Sequence, residues 1–231
     1  MDGALYMARM RVLYHLWLCP FSRKVRVVLG EKRLECELRI EKVWERRDAF
    51  LALNPRGQIP VLVEDDGHIL ADSRSISEYL DEVVAEPPLT GGDPHTRAEA
   101  RRLTAWFDEK FHAEVTVNLV DEKITKRMLG LGEPLSAAVR AGSENIHIHL
   151  SYVEWLIERR SWLAGETLTI ADIAAAAHLS AVDYLGDVPW EDHPGAKDWY
   201  ARIKSRPSFR SVLGDHIPGA PPPKHYADLD F

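Results

Sequence analysis

Every stretch of this chain that patterns as a β-strand lies ahead of the segment Glu86-Pro87-Pro88-Leu89-Thr90-Gly91-Gly92-Asp93-Pro94. A segment so rich in Pro and Gly breaks helix and strand alike and marks a domain boundary. The chain is thereby confined to folds that complete a small sheet in the first third and build the remainder from helices. Its 231 residues suffice for two domains with cores of their own. Hydrophobic residues make up 45% and charged residues 28%, the balance of an ordinary globular protein rather than a disordered or fibrous one. With 29 basic against 36 acidic residues the net charge is −7, which works against general binding to nucleic acid or anionic lipid. No run approaches the roughly 20 apolar residues of a membrane helix, and Met1-Asp2-Gly3-Ala4 opens no signal peptide. Two cysteines, Cys19 and Cys36, are too few for a disulfide framework. A cytoplasmic protein is expected.

Before the linker the order reads β-α-β-α-β-β-α. A short apolar run, Arg11 to Leu16, gives way to a helix in which Phe21, Val25, Val28 and Leu29 share one face. Leu34 to Ile40 alternates, placing Leu34, Cys36, Leu38 and Ile40 on one face of a strand expected to turn toward the core. Asn54-Pro55-Arg56-Gly57 is a turn, Ile59-Pro60-Val61-Leu62-Val63 a strand, and Asp65-Asp66-Gly67 a hairpin turn. From Ser73, the positions Ile76, Tyr79, Leu80 and Val83 form a third helix. Beyond the linker, Leu103, Trp106, Phe107 and Phe111 make one helical face, and Ile146, Leu150, Val153 and Ile157 another. Thr169-Ile170-Ala171-Asp172 is a capping box opening an Ala-rich helix with side chains small enough to pass through the middle of a bundle. His193-Pro194 and Arg206-Pro207 start two further short helices.

The candidate reactive group is Cys19. Pro20 suits a first helical position, which makes Cys19 the N-cap, facing unpaired backbone N–H groups and the positive end of the helix dipole. Such a setting lowers a thiol pKa and favours the nucleophilic thiolate. The alternative reading of Cys19 is a half-buried small residue at a strand end. The histidines suggest no metal, since His147 and His149 stand two apart on a helix and point to different faces.

Three motifs together resemble the glutathione S-transferase superfamily over nearly the whole chain. Cys19-Pro20-Phe21-Ser22-Arg23-Lys24-Val25-Arg26 is similar to the strand-to-helix turn of its omega-like members. Asn54-Pro55-Arg56-Gly57-Gln58-Ile59-Pro60-Val61-Leu62 is similar to the segment ending in a cis proline, and Asp72-Ser73-Arg74-Ser75-Ile76 to the Glu/Asp-Ser-x-x-Ile turn. The resemblance implies an α/β thioredoxin-like domain over residues 1–88, a linker at 89–95, an all-helical domain over 96–217 and a Pro-rich, acidic-apolar tail over 218–231. It also implies a homodimer, with glutathione as candidate ligand and no cofactor otherwise required. Cys19 is then the catalytic residue if the protein is an enzyme, with Ser22 in reserve. The cis proline Pro60 turns the backbone of Ile59 toward an extended peptide, and Ser73 and Asp72 face the carboxylate and amine of a γ-glutamyl group.

The chain also departs from the family pattern. No Tyr stands at the turn, Asp72 replaces the commoner Glu, and Trp44, in Trp44-Glu45-Arg46-Arg47, is bulky for a glutathione pocket but suited to a partner surface. At the end, Pro221, Pro222 and Pro223 form a stiff spacer before Asp228-Leu229-Asp230-Phe231, in which two apolar residues alternate with two acids like a short recognition segment. With that tail the chain resembles a bacterial cell-division subgroup of the superfamily whose members bind the tubulin-like protein FtsZ. The expected function is therefore a non-enzymatic FtsZ-binding protein that modulates filament curvature or bundling, recruited to the division site. The alternative is a glutathione-dependent transferase or thiol transferase using Cys19.

Overall fold

A computed structural model describes residues 10–229 of the chain. The first half runs β1 (Val12–His15), α1 (Pro20–Glu31), β2 (Glu37–Ile40), a 3-10 turn (Val43–Glu45), α2 (Asp48–Leu53), β3 (Val61–Val63), β4 (Ile69–Ala71) and α3 (Ser73–Val83). The sheet order is β2-β1-β3-β4. β1 pairs parallel with β2, Val12 opposite Glu37, and antiparallel with β3, Tyr14 opposite Val61. Parallel neighbours need a crossover connection, and α1 supplies it. Val25, Val28 and Leu29 of α1 are buried as the spacing requires.

The remainder is helical, giving the glutathione S-transferase fold expected from the motifs. α4 starts at Pro94–Ala105 and continues without a break through Trp106–Thr125, wound with wide π-type turns, to Lys126–Met128. It is followed by α5 (Ser136–Ile157), α6 (Ile170–Asp183), α7 (Pro194–Lys204) and α8 (Arg210–Leu213). All of α6 is buried, which its small side chains permit. Its capping box forms, and Asp172 does more than cap. Its carboxylate accepts from the Thr169 N–H and hydroxyl, the Leu163 N–H at 2.8 Å and the Trp199 Nε1–H at 3.0 Å, tying three elements together.

α1 packs against α3 and α6, so even its charged residues are enclosed. Arg23 and Lys24 have no exposed surface, and Arg23 donates to Ser180 on α6 and to Asp215. The linker is tied down by Lys32, whose Nζ donates to Asp81, to the Val84 carbonyl and to the Pro87 carbonyl at 2.5–2.6 Å. The Ile59-Pro60 bond is cis, as the motif implied, and so is Glu86-Pro87, which nothing in the sequence signalled.

Two expectations are corrected. Leu34 and Cys36 pack against the core, but Leu38 and Ile40 are 41% and 39% exposed. The reason is position: β2 is an edge strand, and the cover that reaches its start does not extend to its end. The tail also differs. Instead of holding its terminus off the body, Pro221–Pro223 leads into a docked turn (Lys224–Tyr226), and Tyr226 is fully buried. Burying a tyrosine ring outweighs leaving this segment in water.

Candidate functional site

The candidate residues converge on a cleft between the sheet-bearing half and α4. One side is apolar, a cavity of about 400 Å³ bounded by Leu16, Trp17, Cys19, Trp44, Val120 and Ile124, with His112 and Ile217 also on its wall. The other side is polar, about 540 Å³, with Asn54, Arg56, Gln58, Asp72, Ser73 and Arg74 facing Asp108, Glu109 and His112.

Cys19 stands at the N-cap with Pro20 at N1, as expected. Its thiol does not behave as expected. Burial pushes its pKa up, against the lowering influence of the Ser22 hydroxyl and of the Ser22 and Phe21 N–H groups. The helix terminus acts in the anticipated direction and is overridden by desolvation. Burial likewise pushes the Cys36 thiol up to about 11. Ser22 is fully buried beside Cys19.

On the polar side, Ile59 and buried Pro60 precede β3 with the peptide bond cis, and Ile59 takes part in no backbone hydrogen bond among the described residues. Its N–H and C=O are therefore available to an extended ligand. Asp72, at φ +77°, is already engaged in capping α3, its Oδ1 accepting from the Arg74 N–H at 2.9 Å and the Ser75 N–H at 3.1 Å. Ser73 opens that helix and is 4% exposed. Arg74 is held by Glu109 of α4 at 3.0 Å. These residues fit part of glutathione. The Ile59 backbone and the Ser73 helix terminus suit its peptide and carboxylate, whereas the Asp72 carboxylate is shared with the cap. When bound, glutathione supplies a thiol.

Sequence reasoning missed the α4 wall. Asp108, His112 and Thr116 recur every four residues on α4, a polar row beside the apolar Phe107, Phe111 and Val115, and that interruption was the available signal. Beneath the cleft, Lys24 donates to Asp108. Asp108 lies 3.4 Å from His178 Nε2, and His178 Nδ1 meets the Thr116 hydroxyl at 3.1 Å. Burial holds His178 at about 4, so it is neutral, while Lys24 and His178 hold Asp108 at about 2 against its own burial. His112 packs edge-on against Phe21 and His178, and burial lowers its pKa as well.

Trp44 is 37% exposed and lines the apolar side. The cleft does not gather the tail residues: Asp228, exposed, and Leu229, half-buried, line neither side. Asp230 and Phe231 lie outside the described residues. Among the described residues, no group of three or more His, Cys, Asp or Glu is arranged to hold a metal, and no helix is long and apolar enough to cross a membrane.

Comparison with known proteins agrees with this geometry. Residues 13–88 match the glutathione S-transferase N-terminal domain and residues 117–207 the C-terminal domain. The chain is 50% identical to FtsZ-localized protein A of Caulobacter vibrioides, covering 96% of this chain and 98% of that protein. The structure of FzlA from C. crescentus superposes with a TM-score of 0.93 at 50% identity, covering 96% of this chain and all of the other. A crystal structure described as a glutathione S-transferase from Rhodospirillum rubrum superposes at 0.94 with 59% identity, again over 96% and 100%. Two domain matches in the right order, and relatives aligned end to end, establish that this chain belongs to the glutathione S-transferase superfamily.

Proposed function

We propose that this protein is a glutathione S-transferase-fold partner of FtsZ that acts in cell division by binding filaments rather than by catalysis. The observation that carries this reading is the 50% identity with FtsZ-localized protein A across 96% of the chain. The cleft supports it from the chemical side. Its cysteine thiol is pushed up rather than down, the reverse of what a thiolate nucleophile needs. Trp44 at the cleft mouth and Asp228 and Leu229 beyond the docked tail are the partner-facing residues, continued by Asp230 and Phe231. The protein works as a homodimer in the cytoplasm, recruited to the division site, and bends or bundles filaments by presenting two such surfaces. It needs no cofactor and takes neither nucleic acid nor membrane as partner.

The test is co-pelleting with polymerised FtsZ, with light scattering to give the oligomeric state. Pelleting of the dimer with filaments is the expected result; a supernatant unchanged by polymerisation refutes the reading. A second reading, a glutathione-dependent transferase, draws on the unpaired Ile59 backbone beside cis Pro60 and on Ser73. Retention on immobilised glutathione, lost in Ser73→Ala, would favour it.

A further inference from the structure

Residues 217–226 are anchored to the body at many points. Tyr184, one residue past α6, holds the turn before the prolines on both sides: its hydroxyl accepts from the Ile217 N–H and donates to the Ala220 carbonyl, each at 2.8 Å. Pro223 lies against Gly186, a residue at φ +74° where an added Cβ would come within 3.5 Å of the proline ring. His225 Nε2 meets Asp183 Oδ1 at 3.1 Å, and the His225 carbonyl accepts from Lys204 Nζ at 2.8 Å. The next side chain, Tyr226, is fully buried. Its ring packs edge-on to Tyr184 with centroids 5.1 Å apart, Arg23 lies 6.0 Å from the ring centre, and its hydroxyl donates to the Val212 carbonyl at 3.2 Å. Asp228, two residues on, is exposed, with its N–H still held by the His225 carbonyl at 3.1 Å.

Contacts from α1, α6, α7 and α8 thus converge on two consecutive residues, immediately before the exposed Ala227 and Asp228. A terminal segment with nothing to do frays; this one is fixed in place and direction. We propose that Tyr226, with His225, is a positioning anchor that sets where Asp228 and Leu229 stand on the body, so that these two residues are presented to FtsZ already in place. This rests on the FtsZ-binding reading above. Ordering the segment during folding removes an entropy loss that binding would otherwise carry.

The experiment uses the full chain and two variants, Tyr226→Ala and Tyr226→Phe, each checked for fold by circular dichroism. Limited trypsin digestion reads the anchor through cleavage after exposed Lys224, which releases His225–Phe231; co-pelleting with FtsZ reads the presentation. In Tyr226→Ala, cleavage is expected to quicken and affinity for FtsZ to fall, each roughly tenfold. Tyr226→Phe keeps the ring in its seat and is expected to stay close to wild type in both. A folded Tyr226→Ala that pellets like wild type overturns the proposal, and so does wild-type cleavage as fast as the variant's. If Tyr226→Ala does not fold, the double variant His225→Ala/Lys204→Met leaves the ring in place. It is expected to loosen the segment and weaken pelleting, and unaltered pelleting by it overturns the proposal. Wild type that fails to pellet overturns the FtsZ reading and the positioning role with it, whereas a readily cleaved wild type that still pellets overturns the anchor alone.

Discussion

The pair Lys24 and Asp108 joins α1 of the sheet-bearing half to α4 of the helical half directly beneath the cleft. Lys24 has no exposed surface and Asp108 is 8% exposed. Removing one partner of a buried ion pair strands the other, which costs about 3–5 kcal/mol. Asp108→Ala is expected to destabilise by that amount, a fall in Tm of about 6–20 °C at about 2–4 °C per kcal/mol for a chain of this size. Replacing both partners with apolar groups, Lys24→Met/Asp108→Leu, leaves no stranded charge. It removes only the attraction of the carboxylate for His178 Nε2, which stands 3.4 Å from Asp108 without a hydrogen bond to it. The expected order of stability is therefore wild type, then the double variant, then Asp108→Ala. Urea unfolding followed by tryptophan fluorescence measures it, with an unchanged m-value showing that the same surface unfolds. A loss under about 1 kcal/mol in Asp108→Ala, or a double variant as unstable as the two single losses added, would refute the view that this pair couples the halves.

Gly142 on α5 offers a test of packing against propensity. Alanine there gains about 1 kcal/mol of helix propensity, but its Cβ would stand 2.8 Å from Leu119 Cγ and 2.9 Å from Asn118 Cβ, an overpacking of about 1–3 kcal/mol; Gly142→Ala is expected to lower Tm, and a rise would show that α4 yields. Burial holds both His15 and His178 at about 4, below the 6.5 of an exposed histidine. The unfolded chain therefore binds protons that the folded chain refuses. Stability should be complete above pH 6.5 and fall toward pH 4, by up to about 1.4 kcal/mol per pH unit for each histidine; His15→Asn should flatten that slope, and an unchanged slope in chemical denaturation across the range would refute the assignment. Both thiols are pushed up by burial, so alkylation followed by mass spectrometry should be slow at pH 7 and accelerate above pH 9, and prompt labelling of Cys19 at pH 7 would contradict this.

What the sequence made legible, and what it hid, divides by the range of the interaction that decides each feature. The Thr169 box, the Asp-Gly hairpin, Pro20 at a helix start and the presence of a strand at β2 are settled within a few residues, and all could be read directly. The face of β2 could not, because alternation says which residues share a side and not whether anything covers that side; Leu38 and Ile40 are exposed because β2 is at the edge. The tail failed for the same reason. Three prolines do make a stiff segment, but where it leads depended on a seat formed by Tyr184, Val212 and Arg23, each remote in sequence from Tyr226.

The cleft is the sharpest case. Its near wall carries the local motifs; its far wall is α4, brought opposite by pairs such as Lys24 with Asp108, 84 residues apart, and Thr116 with His178, 62 apart. For Cys19 both ranges act on one atom. The local contribution, the helix terminus, lowers the thiol pKa; burial raises it and is larger. A Cys-Pro at a helix start is therefore a statement about geometry, and what encloses the thiol decides whether that geometry is reactive. In this chain burial and the helix terminus pull the Cys19 thiol in opposite directions, and burial is the larger of the two.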